Sequence, residues 1–164
     1  MSWIHKDFRL NNRSFVSSDT LIAYSKEIST PLYTFLVAWF SAEDIVEVKT
    51  SGSTGTPKNI PLKKEYMRNS ALATGGFFNA KEHTKALCCL PVEYIAGKMM
   101  MVRALVLGWH LDIVEPSSNP LEYNNQHYDF SAMVPMQLRN SLDKIEQIDQ
   151  LIVGGGVVSH QLEA

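Results

Sequence analysis

Apolar positions along the chain come in short blocks, each cut off by a polar, glycine or proline break. Ser17, Ser18 and Asp19 offer an N-cap, and Leu21, Ile22 and Ile28 follow it, so a helix is expected there until Pro31 ends it. Residues 32–40 are apolar almost throughout and predict a second, buried helix. Ile45-Val46-Glu47-Val48 reads as a short strand running into a Gly/Ser/Thr loop at residues 50–58. Beyond Pro61, Met67, Ala71 and Phe78 recur at helix-compatible intervals and predict a helix over residues 63–78.

From there the alternation is regular. Residues 86–90 form an apolar run, a buried strand stopped by Pro91. A helix is expected over 95–107, with Gly108 as its C-terminal stop. Residues 110–114 read as a strand and 116–128 as a polar loop; 130–134 is a further strand, and Pro135 can open a helix. Leu151-Ile152-Val153 is a strand ending in Gly154-Gly155-Gly156. Strand and helix in turn predict an α/β fold, a largely parallel sheet flanked by helices. The expected division is a short helical lead-in, 1–44, and an α/β region, 45–164. Residues 157–164 look like the start of a helix that is cut off, so a fragment of a longer protein is expected.

Composition narrows the class. The 164 residues suffice for one core or two small lobes. At 45% hydrophobic and 20% charged, the chain is neither disordered nor a coiled coil. Lys plus Arg is 15 against 17 Asp plus Glu, so no positive field exists to hold a phosphate backbone and no nucleic-acid partner is expected. Cys88 and Cys89 are adjacent; on a strand they face opposite ways and make a poor disulfide, which fits a reduced, cytoplasmic setting. The densest apolar stretch, 31–40, is too short to span a bilayer, and no membrane partner is expected. His5, His83, His110, His127 and His160 lack metal-ligand spacing, so no protein-held metal is expected.

The chemically richest stretch is Thr50-Ser51-Gly52-Ser53-Thr54-Gly55-Thr56-Pro57-Lys58. Its glycines let backbone N–H groups turn inward, its hydroxyls add donors, and Lys58 adds a mobile charge. Convergent donors plus one cation suit a polyphosphate. The loop is expected to follow a strand and precede a helix, the usual ligand position in an α/β sheet. It is not a Walker A loop, because two residues separate its glycines and Pro57 precedes Lys58. Composition by itself fits a surface Ser/Gly turn more readily.

The order of these residues resembles the phosphate-binding signature of the adenylate-forming superfamily, which includes the acyl- and aryl-CoA synthetases. Three further segments look like that superfamily's, in the same order: Leu90-Pro91-Val92-Glu93-Tyr94-Ile95-Ala96-Gly97, residues 131–138, and Leu151-Ile152-Val153-Gly154-Gly155-Gly156. The resemblance covers about residues 45–164 and implies a partial acyl-CoA-synthetase-like N-terminal domain. Tyr94 stands where the superfamily has a histidine. The ribose-binding aspartate, the Thr-Glu segment and the C-terminal domain with its lysine would follow Gly156, and the 164 residues hold none of them. Residues 96–103 most resemble the o-succinylbenzoate–CoA ligases of menaquinone biosynthesis.

The resemblance implies an acid–CoA ligase that uses ATP, Mg²⁺ held mainly by the ATP phosphates, a small carboxylic acid and coenzyme A. Thr50, Ser51, Gly52, Ser53, Thr54, Gly55 and Lys58 would bind phosphates, with Thr54 and Lys58 catalytic; Gly154, Gly155 and Gly156 would lie beside adenine; Tyr94 and Arg103 would bind the acid. Without the resemblance, the three glycines read equally as a strand-to-helix turn. Arg103 shares a helix face with Ala96, Met99, Met100 and Leu107, and from spacing alone it reads as paired with Glu93 or Asp112, or as snorkelling. The resemblance implies instead that it reaches the substrate's second, non-reacting carboxylate. Lys98, off that face, is expected to be a solvated charge, and Met99-Met100-Met101 to be core. Also open are a ligase for another aryl or acyl acid, a non-catalytic nucleotide-binding module, and a homo-oligomer.

Overall fold

Five strands form one sheet in which every neighbouring pair is parallel. The computed structural model describes residues 4–50 and 55–159. The sheet contains β1 (Arg9–Leu10), β4 (Lys85–Cys88), β5 (His110–Ile113), β6 (Tyr128–Met133) and β7 (Ile148–Val153), in the order β1-β5-β4-β6-β7. Register runs through Cys88↔Ile113, Cys88↔Ala132 and Met133↔Val153. A separate antiparallel pair, β2 (Ile45–Lys49) and β3 (Asn59–Lys63), lies earlier in the chain. The helices are α1 (Ser18–Ile28), α2 (Thr30–Phe40), α3 (Lys64–Phe78), α4 (Ile95–Leu107) and α5 (Pro135–Asn140), with a 3₁₀ turn at Leu142–Gln147. This is the α/β arrangement expected from the alternation.

Local chemistry accounts for the helix ends. Ser17 caps α1, its Oγ accepting from Thr20 N at 3.3 Å. Ser29 does the same for α2 through Leu32 N at 3.3 Å, with Pro31 in the first turn. Asn79 ends α3 at φ 51° and Gly108 ends α4 at φ 74°, both left-handed.

The sheet buries both faces. On one, α2, α3 and α4 cover a core that includes Leu36, Trp39, Met100, Met101, Trp109, Leu111 and Phe130. On the other lie Leu87, Cys89, Leu121, Tyr128, Met133 and Ile148, with Ile145 of the 3₁₀ turn against them. Cys88 and Cys89 fall into different clusters, as their alternation requires. Both are free thiols, and burial pushes them up, Cys88 to about 12 and Cys89 to about 11. No helix among the described residues is long and apolar enough to cross a membrane.

Three features differ from the pattern-based expectation. Pro31 does not end the first helix: α1 stops at Ile28, and Pro31 opens α2, where its missing N–H has no partner to lose. β1 joins the parallel sheet by pairing Arg9 with His110 across the length of the chain, which no local pattern reveals. Residues 59–63 form β3, so the Gly/Ser/Thr loop does not run from a strand into a helix. It joins two antiparallel strands as the end of a hairpin, and α3 starts only after β3. Pro61 lies within β3, opposite Glu47. It is tolerated because β3 is one strand of a two-stranded ribbon, where a missing N–H can face outward.

Gly108 carries the turn from α4 into β5, and a Cβ there would meet the His5 ring as well as adopt a left-handed backbone. Gly108→Ala is expected to destabilise the protein by about 1–2 kcal/mol. Urea unfolding checks this; an unchanged midpoint would contradict it.

Candidate functional site

The strand order reverses at β4. The chain leaves β4 through α4 to reach β5 on one side, then passes back to β6 on the other. At such a reversal the connections diverge to opposite faces and leave a crevice beyond the carboxyl ends of the strands. Three of the segments that leave the sheet at these ends are residues 89–94 after β4, Val134 and Pro135 after β6, and Gly154-Gly155-Gly156 after β7.

Buried polar groups fix these departures. Gln137, only 4% exposed, accepts from Val134 N at 3.2 Å through its Oε1. Its Nε2 donates to Cys89 O at 3.0 Å and to Ser117 O at 2.9 Å. One side chain therefore ties the ends of β4 and β6 to the loop that precedes β6. Gly154 N donates to Met133 O at 3.1 Å, so the glycine turn stays against the end of β6. Gly155 needs to be glycine for its φ of 76°. A Cβ at Gly154 would meet no atom within 4 Å, so the protein itself does not demand that glycine.

The hairpin attaches to the same end. Thr50 N donates to Lys58 O at 3.1 Å, extending the β2–β3 ladder into the stem of the loop. Lys49, next to Thr50, forms a parallel bridge with Tyr94 and places its ammonium 2.7 Å from the Glu93 carboxylate. That hydrogen bond raises the Lys49 pKa and lowers that of Glu93. Both side chains are nearly half exposed, so the pair orients the hairpin more than it stabilises the fold. Gly55, Thr56, Pro57 and Lys58 are exposed. Ser51, Gly52, Ser53 and Thr54 lie outside the described residues.

Lys98 departs from its expected role. It is 8% exposed, and its Nζ donates to Val92 O at 3.0 Å and Glu93 O at 2.6 Å, with the Phe35 ring 5.8 Å away. Burial lowers its pKa. The long stem folds back from the first turn of α4 and supplies donors to two carbonyls outside the ladder of the main sheet. Beside it, Gly97 lies so close to Pro91 O and Val92 N that any Cβ would collide with backbone. Gly97 and Lys98 together hold the 91–94 turn, and so Tyr94, which is half-buried at the start of α4.

Arg103 lies two turns further along α4, on the face toward α3. Neither expected carboxylate pairs with it: Glu93 is taken by Lys49, and Asp112 accepts from Tyr128 OH at 3.0 Å. Its Nε donates to Thr74 Oγ1 at 3.3 Å, and its Nη1 lies 3.6 Å from Met100 Sδ. Among the described residues Arg103 has no ion pair, and burial lowers its pKa. Met99, Met100 and Met101 are core, as expected.

The fold thus places the stem at Thr50 and Lys58, the turn at Tyr94, and the glycines at 154–156 at the same end of the sheet. It does not bring Arg103 into contact with any of them. Arg103 is nine positions after Tyr94, about two and a half turns, so the two lie about half a rotation apart round the helix axis. Gln137, Thr74 and the Lys49–Glu93 pair went unnoticed in the sequence; each matters through a partner distant along the chain.

Comparison with known proteins agrees with this fold. The chain matches the family described as AMP-binding enzyme over residues 19–161. It belongs to that family, within the adenylate-forming superfamily. No curated protein matches it. An acyl-CoA synthetase (AMP-forming)/AMP-acid ligase II-like protein from Dyadobacter fermentans is 39% identical with a TM-score of 0.71, over 79% of this chain and 39% of that one. The o-succinylbenzoate CoA synthetase of Bacillus subtilis, in complex with its acyl-adenylate intermediate, shares the fold at a TM-score of 0.61 and 22% identity, over 71% of this chain and 25% of that one. The N-terminal subdomain of Klebsiella oxytoca NpsA, in complex with 3-hydroxyanthranilyl-AMSN, shares it at 0.58 and 21%, over 76% and 34%. The chain thus spans about two fifths of the Dyadobacter protein's length.

Lys98→Met keeps the buried stem and removes the donors, leaving two carbonyls unpaired. A loss of about 1–3 kcal/mol is expected, with faster amide exchange confined to the start of α4. Hydrogen exchange resolves this; unchanged protection at residues 94–98 would contradict the capping role.

Proposed function

We propose that the chain is the nucleotide-binding part of an ATP-dependent acid–CoA ligase acting on o-succinylbenzoate. The observation that carries the proposal is the convergence at one end of the sheet: the hairpin stem reaches the Tyr94 turn through Lys49, and the glycine turn is tied to the neighbouring strand end through Met133. Three segments that resemble nucleotide-site motifs, far apart in the chain, have their described residues at the end of the sheet where an α/β fold offers a crevice, which supports the reading.

In the proposed reaction a carboxylate oxygen of the acid attacks the α-phosphorus of ATP. The bond from that phosphorus to the bridging oxygen breaks, and its electron pair leaves with pyrophosphate. The coenzyme A thiol, having given up its proton, then attacks the acyl carbon and displaces AMP. Mg²⁺ enters on the ATP phosphates as part of the substrate. Thr50, Ser51, Gly52, Ser53, Thr54, Gly55 and Lys58 are assigned to the phosphates, with Thr54 and Lys58 offsetting charge on departing pyrophosphate. Gly154, Gly155 and Gly156 are assigned to the adenine side, where the open space beside Gly154 leaves room for a flat ring.

Tyr94 and Arg103 are assigned to the acid. A half-buried guanidinium without a carboxylate among the described residues calls for an anion from outside. A diacid such as o-succinylbenzoate supplies one carboxylate for activation and a second for that charge. The likeness of residues 96–103 to the o-succinylbenzoate–CoA ligases supports this choice of acid.

The test is acid-dependent ATP–pyrophosphate exchange by the full-length natural protein. Exchange with o-succinylbenzoate well above that with benzoate or simple fatty acids is expected, and Lys58→Ala is expected to lower it about 100-fold without moving the unfolding midpoint. Full exchange in Lys58→Ala would remove the loop assignment. Exchange only with another acid would discard o-succinylbenzoate. Silence across a panel of acids, from folded protein, would favour a non-catalytic nucleotide binder.

A further inference from the structure

Arg103 is held from one side by α3. Thr74 lies in the last full turns of that helix, four residues after Ser70, and its Oγ1 donates to Ser70 O at 2.9 Å. A hydroxyl has one proton. With that proton committed, only lone pairs remain, and the contact at 3.3 Å must run from Arg103 Nε to Thr74 Oγ1. The same bond to Ser70 O fixes the Thr74 rotamer. The helices cannot slide freely here: a Cβ on the adjacent Gly75 would come within 2.8 Å of the Leu107 side chain.

A guanidinium presents five N–H donors and binds a carboxylate through two parallel ones. It can use a side edge, Nε with one terminal nitrogen, or the end edge, both terminal nitrogens. Thr74 occupies Nε, which closes the side edge. Met100 Sδ, a weak acceptor, takes at most one Nη1 hydrogen. One Nη1 hydrogen and both Nη2 hydrogens remain.

The geometry points to Thr74 as the positioning residue for acid specificity: it pins Arg103 by Nε and leaves the end edge of the guanidinium for the second carboxylate of a diacid. This rests on the assignment of Arg103 to the non-reacting carboxylate under the proposed function. Thr74 itself touches no substrate. Its role is to hold in one orientation a side chain with several rotatable bonds, so that less freedom is lost when the acid binds.

The test compares exchange by the full-length natural protein with o-succinylbenzoate and with the same acid lacking the non-reacting carboxylate. The quantity read is the ratio of kcat/KM for diacid over monoacid, which a merely structural loss leaves unchanged. Arg103→Ala is expected to collapse that ratio about 100-fold. Thr74→Val, nearly isosteric, is expected to lower it about tenfold, through KM for the diacid rather than kcat. Thr74→Ser keeps the hydroxyl and is expected to restore the ratio. If Arg103→Ala collapses the ratio and Thr74→Val leaves it unchanged, the positioning role is wrong and the Arg103 assignment stands. If Arg103→Ala also leaves it unchanged, or neither acid supports exchange, both fall.

Discussion

The carbonyls that follow β4 lie beyond the ladder of the main sheet, touched only by the Lys49 bridge at Tyr94, and the shape of the site depends on how they are satisfied. Cys89 O takes Gln137 Nε2, Val92 O and Glu93 O take Lys98 Nζ, and Pro91 O takes Tyr94 N. Buried backbone oxygens left unpaired would each cost on the order of 1–3 kcal/mol. The chain answers with two long polar side chains drawn into the interior. Both come from the helices that open beyond β4 and β6, Lys98 from the first turn of α4 and Gln137 from the first turn of α5. The segment they hold is also the anchor for the hairpin, through Lys49, Glu93 and Tyr94. Backbone accounting and site geometry are therefore one problem here.

The same arrangement explains how an antiparallel ribbon serves a parallel sheet. A loop between β2 and β3 gains two fixed ends, which a loop from strand to helix would also have. The hairpin adds a second anchor, because Lys49 crosses to the turn after β4 while Val46 and Val48 are buried in the main core. The ends of the loop, Thr50 and Lys58, are thus carried on an element that is not a strand of the main sheet and are still anchored at the sheet's carboxyl end.

Much of this was legible in the sequence, for physical reasons that differ by element. The helix α4 was readable to within a residue, because Gly108 is a strong stop signal; the start of α1 was readable from Ser17, but its end was not, since Pro31 opens α2 and does not end α1. The buried strands β4 and β6 were readable as short apolar runs bounded by breaks. β3 was not, since Asn-Ile-Pro-Leu-Lys carries a proline and has meaning only opposite Ile45–Lys49. Lys98 was misread because charge predicts exposure on average, and nothing local shows that two carbonyls wait within reach. The motifs at 50–58, 90–97 and 151–156 were legible as a family resemblance from their order alone. That their described residues lie at one end of the sheet was not, because it depends on the strand order reversing at β4. Arg103 was legible as a charge needing an anion; that Glu93 and Asp112 are both engaged elsewhere emerges only from the packing.

The most direct test of the site's location is hydrogen exchange of the full-length natural protein with and without Mg²⁺ and ATP, under conditions where binding is measured independently. Protection is expected at residues 50–58, 89–94 and 154–156 together, with the amino ends of β4, β5 and β6 unaffected. Binding accompanied by protection elsewhere, with these three segments unchanged, would contradict the placement of the nucleotide at the carboxyl end of the sheet.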